Sequence, residues 1–295
     1  MNLQNIFIMG SGLMGAGIGQ VCAQAGMNVT LCDVSREVLE KAMKGISWSV
    51  GKFIEKGKIE GSLDEIMGRI RTTTSIEKAG GADLVMEAVF ENLDVKREAF
   101  ERLGTVLQDH ILVATNTSAI PITELGSGIS RPERFLGLHF FNPVPMMTAV
   151  EVIRGMATSD ETFDAGRQFV LDLGKEPILV HRDVAGFVIN RINFPSTMEA
   201  MRLVEQGVTS VEDVDKGLRL AAGRRMGIFE TGDMVGLDVT YGALMAMYHE
   251  TGDPYWYPPL LLRRKVKAGH LGRKTGKGWY EYGPDGERLG PSRDS

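Results

Sequence analysis

The sequence has few cysteines, no long apolar segment and no excess of basic residues. Its two cysteines, Cys22 and Cys32, are too few for a disulfide framework and fit a reducing compartment. No apolar run approaches the roughly 20 residues that span a bilayer, and the N-terminal residues lack the basic-then-apolar form of a secretion signal. We therefore expect a cytoplasmic protein that has no membrane partner.

The charge balance argues against a further class of partner. The 295 residues carry 33 Lys and Arg against 38 Asp and Glu, a net charge of −5, and an acidic chain binds polyanions poorly. Nucleic acid is therefore not an expected partner, although a local basic patch for a small phosphate ligand is compatible with this balance. The hydrophobic fraction of 43% is that of an ordinary globular protein, and the length suits two domains.

Strand-like and helical segments alternate over the first part of the chain. Strands are predicted at residues 6–9, 28–32, 83–89, 111–114, 135–138, 149–153 and 178–180. Helical patterns separate most of them, so we predict an α/β domain with a Rossmann-like, mostly parallel sheet and helices on both faces. Ser35 is a predicted N-cap, and the helical stretch 35–69 breaks near Gly57 and Gly61. This stretch predicts a helical hairpin inserted in the domain.

The pattern changes after residue 183, where strand signals nearly cease. Helices are predicted at residues 187–206, 211–219, 237–248 and 259–268. We therefore predict two domains, a Rossmann-like domain at residues 1–183 and an all-α C-terminal domain at residues 184–295.

A glycine-rich loop follows the first predicted strand. The segment Gly10-Ser11-Gly12-Leu13-Met14-Gly15 fits G-x-G-x-x-G, with a strand before it and a helix after it. Gly10 permits a tight turn, Gly12 lets a pyrophosphate approach the backbone, and Gly15 lets helix and strand pack closely. The helix N-terminus adds N–H groups and partial positive charge for phosphates, so the loop predicts dinucleotide binding.

Asp33 indicates which dinucleotide this loop takes. It ends the second predicted strand, where a carboxylate accepts a hydrogen bond from a ribose 2′-OH and repels a 2′-phosphate. The sequence therefore favours NAD over NADP as the cofactor, although the nearby Arg36 leaves NADP open.

Several further motifs are spread along the chain. They are Asn116-Thr117-Ser118, His139-Phe140-Phe141-Asn142-Pro143 with the following Val150-Glu151-Val152-Ile153, Gly186-Phe187-Val188-Ile189-Asn190-Arg191, Gly236-Leu237-Asp238 and Gly272-Arg273-Lys274-Thr275-Gly276-Lys277-Gly278-Trp279-Tyr280. In order and approximate spacing they resemble the motifs of the L-3-hydroxyacyl-CoA dehydrogenase family, most closely its bacterial 3-hydroxybutyryl-CoA dehydrogenases. The resemblance covers essentially the whole chain. It implies NAD-dependent interconversion of (S)-3-hydroxyacyl-CoA and 3-oxoacyl-CoA with short acyl chains, in a homodimer formed by the helical domain.

The resemblance also implies roles for individual residues. His139 is implied as the general acid/base with Glu151 as its partner, and Ser118 and Asn190 as contacts near the reacting carbon. Residues implied to bind the cofactor or line its site are Gly10, Gly12, Leu13, Met14, Gly15, Asp33, Glu91, Lys96, Asn116, Ser118, Asn142 and Lys274. Lys52 and Lys56 match lysines that meet the CoA phosphates, although such an i,i+4 pair is also common on a solvated helix surface.

Elementary chemistry suits the implied pair. Oxidising a secondary alcohol sends a hydride from carbon to the nicotinamide and a proton from oxygen to a base, and imidazole serves in both directions near neutral pH. A carboxylate on the opposite ring nitrogen sets the tautomer and stabilises the cation. His139 follows one predicted strand and Glu151 lies in the next, so a turn between neighbouring strands is able to bring them together. The histidines and cysteines show no metal-ligand spacing, so no metal is expected.

Three segments depart from the family's usual motifs, namely Met147-Thr148-Ala149, Ile192-Asn193-Phe194-Pro195 and Arg224-Arg225-Met226-Gly227-Ile228-Phe229-Glu230-Thr231. They leave the implied catalytic residues intact but leave the acyl specificity open. Arg224 and Arg225 suit the terminal carboxylate of a dicarboxylic acyl-CoA, with a surface or subunit-interface pair as the alternative. Two other functions stay open: a dehydrogenase of free hydroxy acids of the gulonate or carnitine kind, and a non-catalytic NAD-binding protein resembling the lens crystallins of this fold.

Overall fold

A computed structural model describes residues 3–293 of the chain. The chain divides into two compact units, one ending at Phe187 and the other beginning at Val188. The predicted boundary at residue 183 lies shortly before this division.

An eight-stranded sheet forms the centre of the first unit. Its strands are β1 (Asn5–Met9), β2 (Asn28–Cys32), β3 (Ile70–Thr73), β4 (Leu84–Glu87), β5 (Leu112–Thr115), β6 (Phe135–Phe140), β7 (Ala149–Ile153) and β8 (Glu176–Val180). They are arranged in the order β3-β2-β1-β4-β5-β6-β7-β8, and every neighbouring pair is parallel except β6 and β7. This confirms the predicted Rossmann-like, mostly parallel sheet.

Six α-helices belong to the same unit of the described chain. They are α1 (Leu13–Gln24), α2 (Arg36–Glu55), α3 (Leu63–Gly68), α4 (Leu93–Gly104), α5 (Ile122–Gly126) and α6 (Asp160–Asp172). The central strands β4, β5 and β6 are buried along their whole length. Parallel strands that have helices on both faces bury both sets of side chains, and their sequences are therefore mostly apolar. The apolar sequence runs that predicted these strands therefore end up in the core.

The predicted helical hairpin corresponds to α2 and α3. The Ser35 hydroxyl accepts a hydrogen bond from the backbone N–H of Val38 at 3.4 Å, as expected of an N-cap. Gly57 has a φ of 62° just after α2, a conformation that favours glycine and allows the chain to reverse. The edge strand β3, which follows the hairpin, was not predicted, because among its four residues only Ile70 is buried and no apolar run marks it.

The second unit is helical, as predicted. Its helices are α7 (Ile189–Glu205), α8 (Val211–Ala221), α9 (Ile228–Val235), α10 (Leu237–Thr251) and α11 (Leu260–Lys267). The all-α prediction needs one correction, since β9 (Tyr280–Tyr282) and β10 (Arg288–Pro291) form a short antiparallel sheet. No helix within residues 3–293 has the length and apolar character needed to cross a membrane.

Buried Asp233 attaches β9 to α9 in this second unit. Its carboxylate accepts hydrogen bonds from the backbone N–H groups of Trp279 and Tyr280 at 2.8 and 2.9 Å, and from the Tyr282 hydroxyl at 3.0 Å. Burial raises the pKa of Asp233, although these three donors act in the opposite direction. The hairpin therefore depends on a polar contact that links residues far apart in sequence, which explains why local patterns did not predict it.

Candidate active site

The glycine-rich loop has the shape that a pyrophosphate requires. Gly10 has a φ of 100°, and a Cβ there would lie 2.5 Å from the carbonyl oxygen of Ala88. A Cβ on Gly15 would overlap the carbonyl oxygen of Gly10, whereas one on Gly12 would meet no atom of the described chain within 4 Å. Gly10 and Gly15 are therefore needed for the packing of the protein itself, whereas the space beside Gly12 is open.

The start of α1 and the end of β2 meet at this loop. Gly12 is the N-cap of α1 and carries no capping side chain, and Leu13 on the first turn is largely exposed. The Asp33 carboxylate accepts hydrogen bonds from the backbone N–H and the hydroxyl of Ser11, at 2.8 and 2.9 Å. A helix N-terminus beside the loop and an acid at the end of β2 fit a dinucleotide with a free ribose 2′-OH.

His139 and Glu151 form a buried pair on neighbouring strands. They are directly opposite each other in the antiparallel pairing of β6 and β7. His139 Nδ1 lies 2.6 Å from Glu151 Oε2, and the two residues are 4% and 0% exposed. A carboxylate in hydrogen-bonding contact with Nδ1 leaves proton exchange to Nε2 at the opposite side of the ring.

Two aromatic rings pack against the His139 imidazole. The ring centroid of Phe141 is 4.6 Å away and that of Phe187 is 5.6 Å away. Phe187 is buried and has a φ of 49°, a left-handed conformation that a bulky side chain seldom adopts. The imidazole is therefore confined both by Glu151 and by these rings.

The predicted residues Asn116 and Asn142 follow β5 and β6, respectively, in the chain. The side-chain oxygen of Asn116 accepts a hydrogen bond from the backbone N–H of Phe140 at 2.9 Å. Asn142 is half-buried and precedes Pro143 through a cis peptide bond. Asn116 thereby ties the end of β5 to the end of β6, one residue after His139.

Glu91 binds the loop that contains Ser118. Its Oε1 accepts hydrogen bonds from the Thr117 hydroxyl at 2.6 Å and from the backbone N–H groups of Ser118 and Ala119 at 2.7 and 3.1 Å. Burial by itself would raise the pKa of Glu91, but the Lys96 ammonium at 3.2 Å and these donors outweigh it and lower that pKa. Glu91 is therefore a carboxylate at neutral pH.

Lys96 is buried rather than open to solvent. Its side chain is only 1% exposed, and its Nζ lies 2.7 Å from Glu87 Oε1 and 3.2 Å from Glu91 Oε2. Glu87 was not among the predicted site residues. A usable signal was present, because Glu87 ends the apolar strand β4 just as Asp33 follows β2, and both places are carboxyl ends of parallel strands.

The remaining predicted residues lie elsewhere in the two units. Asn190 is in the first turn of α7 and is half-buried. Lys274 forms an ion pair with Asp238, 2.6 Å from Nζ to Oδ1. On α2, Lys52 forms an exposed pair with Glu55 at 2.8 Å, and Lys56 follows the helix on the surface.

The arginine pair and the cysteines show different degrees of burial. Arg224 is half-buried and donates to the Ser196 hydroxyl at 3.4 Å, whereas Arg225 is exposed. Cys22 and Cys32 are buried, unpaired thiols. Within residues 3–293, no three His, Cys, Asp or Glu side chains are grouped closely enough to hold a metal ion.

Two family models match consecutive parts of the sequence. The model described as 3-hydroxyacyl-CoA dehydrogenase, NAD binding domain, matches residues 5–184, and the model described as 3-hydroxyacyl-CoA dehydrogenase, C-terminal domain, matches residues 186–282. A probable 3-hydroxybutyryl-CoA dehydrogenase of Deinococcus radiodurans is 41% identical over 275 residues, which are 93% of this chain and 99% of that protein.

Two crystal structures are similar over nearly the whole chain. FadB2 of M. tuberculosis superposes with a TM-score of 0.92 at 36% identity, covering 96% of this chain and 100% of the other. The (S)-3-hydroxybutyryl-CoA dehydrogenase PaaH1 of Ralstonia eutropha superposes with a TM-score of 0.89 at 38% identity, with the same coverage of 96% and 100%.

Proposed function

The chain belongs to the 3-hydroxyacyl-CoA dehydrogenase family, and we propose the substrate and the residues of its reaction accordingly. It is an NAD-dependent oxidoreductase that interconverts (S)-3-hydroxyacyl-CoA and 3-oxoacyl-CoA. The names of the similar proteins support short acyl chains, with 3-hydroxybutyryl-CoA and acetoacetyl-CoA as the pair.

His139 and Glu151 carry the proton in this proposal. In the oxidative direction, His139 Nε2 takes the hydroxyl proton while the carbinol carbon loses a hydride, and the reverse direction returns both. Glu151 keeps the imidazole in the tautomer that has its proton on Nδ1 and stabilises the imidazolium once Nε2 is protonated. Bound NAD⁺ supplies the hydride acceptor. The contact of 2.6 Å between Nδ1 and Oε2 is the observation that carries the assignment.

The cofactor is held mainly at the carboxyl ends of the first strands. We propose that the residues between Gly10 and Gly15 receive the pyrophosphate and that Asp33 receives the adenosine ribose. Gly12, Leu13 and Met14 belong to that loop, and the residues that complete the proposed cofactor site are Glu91, Lys96, Asn116, Ser118, Asn142 and Lys274. Lys96 is buried, and its Nζ lies 3.2 Å from Glu91 Oε2. We therefore propose that Lys96 serves the cofactor site by holding Glu91 in place, not as part of the exposed binding surface.

Substrate contacts are proposed at the reacting oxygen of the acyl group and at the phosphates of CoA. Ser118 and Asn190 steady the reacting oxygen as its charge changes. Lys52 and Lys56 on the exposed surface of the hairpin interact with the CoA phosphates, where long cationic side chains suit an anionic ligand.

Reduction of acetoacetyl-CoA by NADH, followed as loss of NADH absorbance, tests the function. We expect turnover of acetoacetyl-CoA and none of free acetoacetate, with a panel of acyl chain lengths locating the optimum. His139→Ala should still bind NADH but lose turnover. A wild-type chain that binds NADH without reducing any thioester would overturn the enzymatic function, and near-normal turnover by His139→Ala would overturn the assignment of the base.

A dicarboxylic acyl chain is a second candidate substrate, supported by the half-buried Arg224 guanidinium. If Arg224 and Arg225 receive a terminal carboxylate, the Arg224→Ala/Arg225→Ala variant should lose activity selectively on dicarboxylic acyl-CoAs. Equal activity of this variant on mono- and dicarboxylic substrates would exclude the role.

We also propose a homodimer that acts in the cytoplasm. The two unpaired cysteines support a reducing compartment, and the dimer is the assembly that the family resemblance implies for the helical domain. Sedimentation analysis checks the dimer, and a single monomeric species would exclude it.

A further inference from the structure

Glu87, the last residue of β4, is a fully buried carboxylate that has no direct part in the proposed reaction. Its Oε1 accepts hydrogen bonds from Lys96 Nζ and from the backbone N–H of Val89, both at 2.7 Å. Its Oε2 accepts from the Thr115 hydroxyl at 2.6 Å. Since both oxygens have donors, the Glu87 side chain is fixed in one orientation.

Lys96 connects Glu87 to Glu91. The ammonium lies between the two carboxylates and is 1% exposed. Glu87 and Lys96 are buried, whereas Glu91 is 36% exposed. Buried charges are costly unless each has its partner, so removal of Glu87 leaves the Lys96 ammonium poorly compensated. Lys96 on α4 is therefore placed by Glu87 on β4, and it in turn orients Glu91.

Glu91 transmits this arrangement to the loop after β5. Its Oε1 accepts from the backbone N–H groups of Ser118 and Ala119 and from the Thr117 hydroxyl. A shift of the carboxylate by a fraction of an ångström therefore moves the backbone of Ser118, and with it the serine hydroxyl.

We propose that Glu87 is a positioning residue for the dehydrogenase reaction: it holds Lys96, Lys96 holds Glu91, and Glu91 holds Ser118 in place for the substrate oxygen. This inference rests on the proposed function, because the role of Ser118 belongs to that function. Glu87 acts through other residues and touches neither substrate nor cofactor. The alternative is a purely structural role, in which Glu87 only joins β4 to β5 through Thr115.

A double-variant cycle of Glu87→Gln and Ser118→Ala separates these two roles. The change from glutamate to glutamine keeps the size of the side chain and removes its charge. We expect Glu87→Gln to lower kcat/KM for acetoacetyl-CoA roughly 10- to 100-fold, because small misplacements of a reacting contact have effects of this size. If Glu87 acts through Ser118, the double variant should be no slower than Ser118→Ala alone. Losses that multiply in the double variant would overturn the proposal.

Two further variants keep the experiment decisive. Glu87→Asp keeps the charge but withdraws the carboxylate from Lys96 and Thr115 by one methylene group, so it replaces Glu87→Gln in the same cycle if that variant fails to fold. Arg97→Met is the matched control. Arg97 follows Lys96 on α4 and forms an exposed ion pair with Glu124, so its loss should leave kcat/KM at the wild-type value.

The proposed function and this inference fail in different ways. An inactive wild-type chain would remove the proposed function and the inference with it. An active wild type together with an unimpaired Glu87→Gln variant would remove only the positioning role.

Discussion

Replacing Glu151 by glutamine tests the central pair with almost no change of shape. The carboxylate is 0% exposed and its Oε2 lies 2.6 Å from His139 Nδ1. A glutamine fills the same volume and keeps a hydrogen-bonding group at that position, but it has no charge to stabilise an imidazolium. Its amide also donates as readily as it accepts, which permits the tautomer whose proton is on Nε2.

The expected loss follows from the strength of a hydrogen bond to a charged group. Such a bond contributes about 1.5–3 kcal/mol, and each 1.36 kcal/mol corresponds to about tenfold in rate. The charge alone therefore predicts a fall in kcat of roughly 10- to 150-fold. Any His139 held in the wrong tautomer adds to this loss. In the serine-protease triad, the corresponding change of aspartate to asparagine lowers kcat about 10⁴-fold.

The assay is reduction of acetoacetyl-CoA at saturating NADH, with nucleotide affinity measured separately by fluorescence. We expect Glu151→Gln to bind NADH like the wild type, because the pair lies in β6 and β7 and the nucleotide loop lies between β1 and α1. Glu176→Gln, at the exposed start of β8, is the matched control and should keep full activity. A Glu151→Gln variant that retains kcat close to that of the control would show that the Glu151 charge does not assist His139.

The glycine loop, the thiols and Glu91 give three further predictions. Gly12→Ala should fold with an unchanged Tm yet lose NADH affinity, whereas Gly15→Ala should lower Tm itself, because its Cβ would overlap the Gly10 carbonyl oxygen; thermal unfolding with NADH titration distinguishes them, and equal Tm values would contradict this prediction. Burial raises the pKa of Cys22 to about 12 and, together with Asp33, that of Cys32 to about 11, so a thiol reagent at about pH 8 should label neither cysteine until denaturant is added. The pKa of Glu91 is lower in the folded than in the unfolded protein. The ionised carboxylate therefore stabilises the fold at pH values above its ordinary pKa of 4.5, and this contribution is lost as the pH falls below that value. Urea unfolding of wild type and Glu91→Gln should therefore differ at about pH 7, and this difference should shrink as the pH falls below 4.5; a constant difference would show that the charge is irrelevant.

Local sequence patterns predicted an element correctly where a single apolar segment forms a single strand. The runs at β2 and β7 were predicted with the bounds that the structure has, because each is buried or half-buried along its length except for Asn28 at the start of β2. Patterns were insufficient for β3, where a single buried isoleucine precedes polar residues, and for the hairpin of β9 and β10. These elements are stabilised by neighbours that are distant in the chain, and no local period reports such contacts.

The dinucleotide loop, the alternation of strands and helices, and the family to which the chain belongs were all predictable from the amino-acid sequence alone. Those features depend on residues that are close together in the chain or on motifs in a given order. The position of His139 directly opposite Glu151 was not predictable in this way, because it depends on the register in which β6 pairs with β7. The packing of strands and helices also brings Glu87, Lys96 and Glu91 into one ion cluster, because charges from β4, α4 and the loop between them meet only in the folded chain.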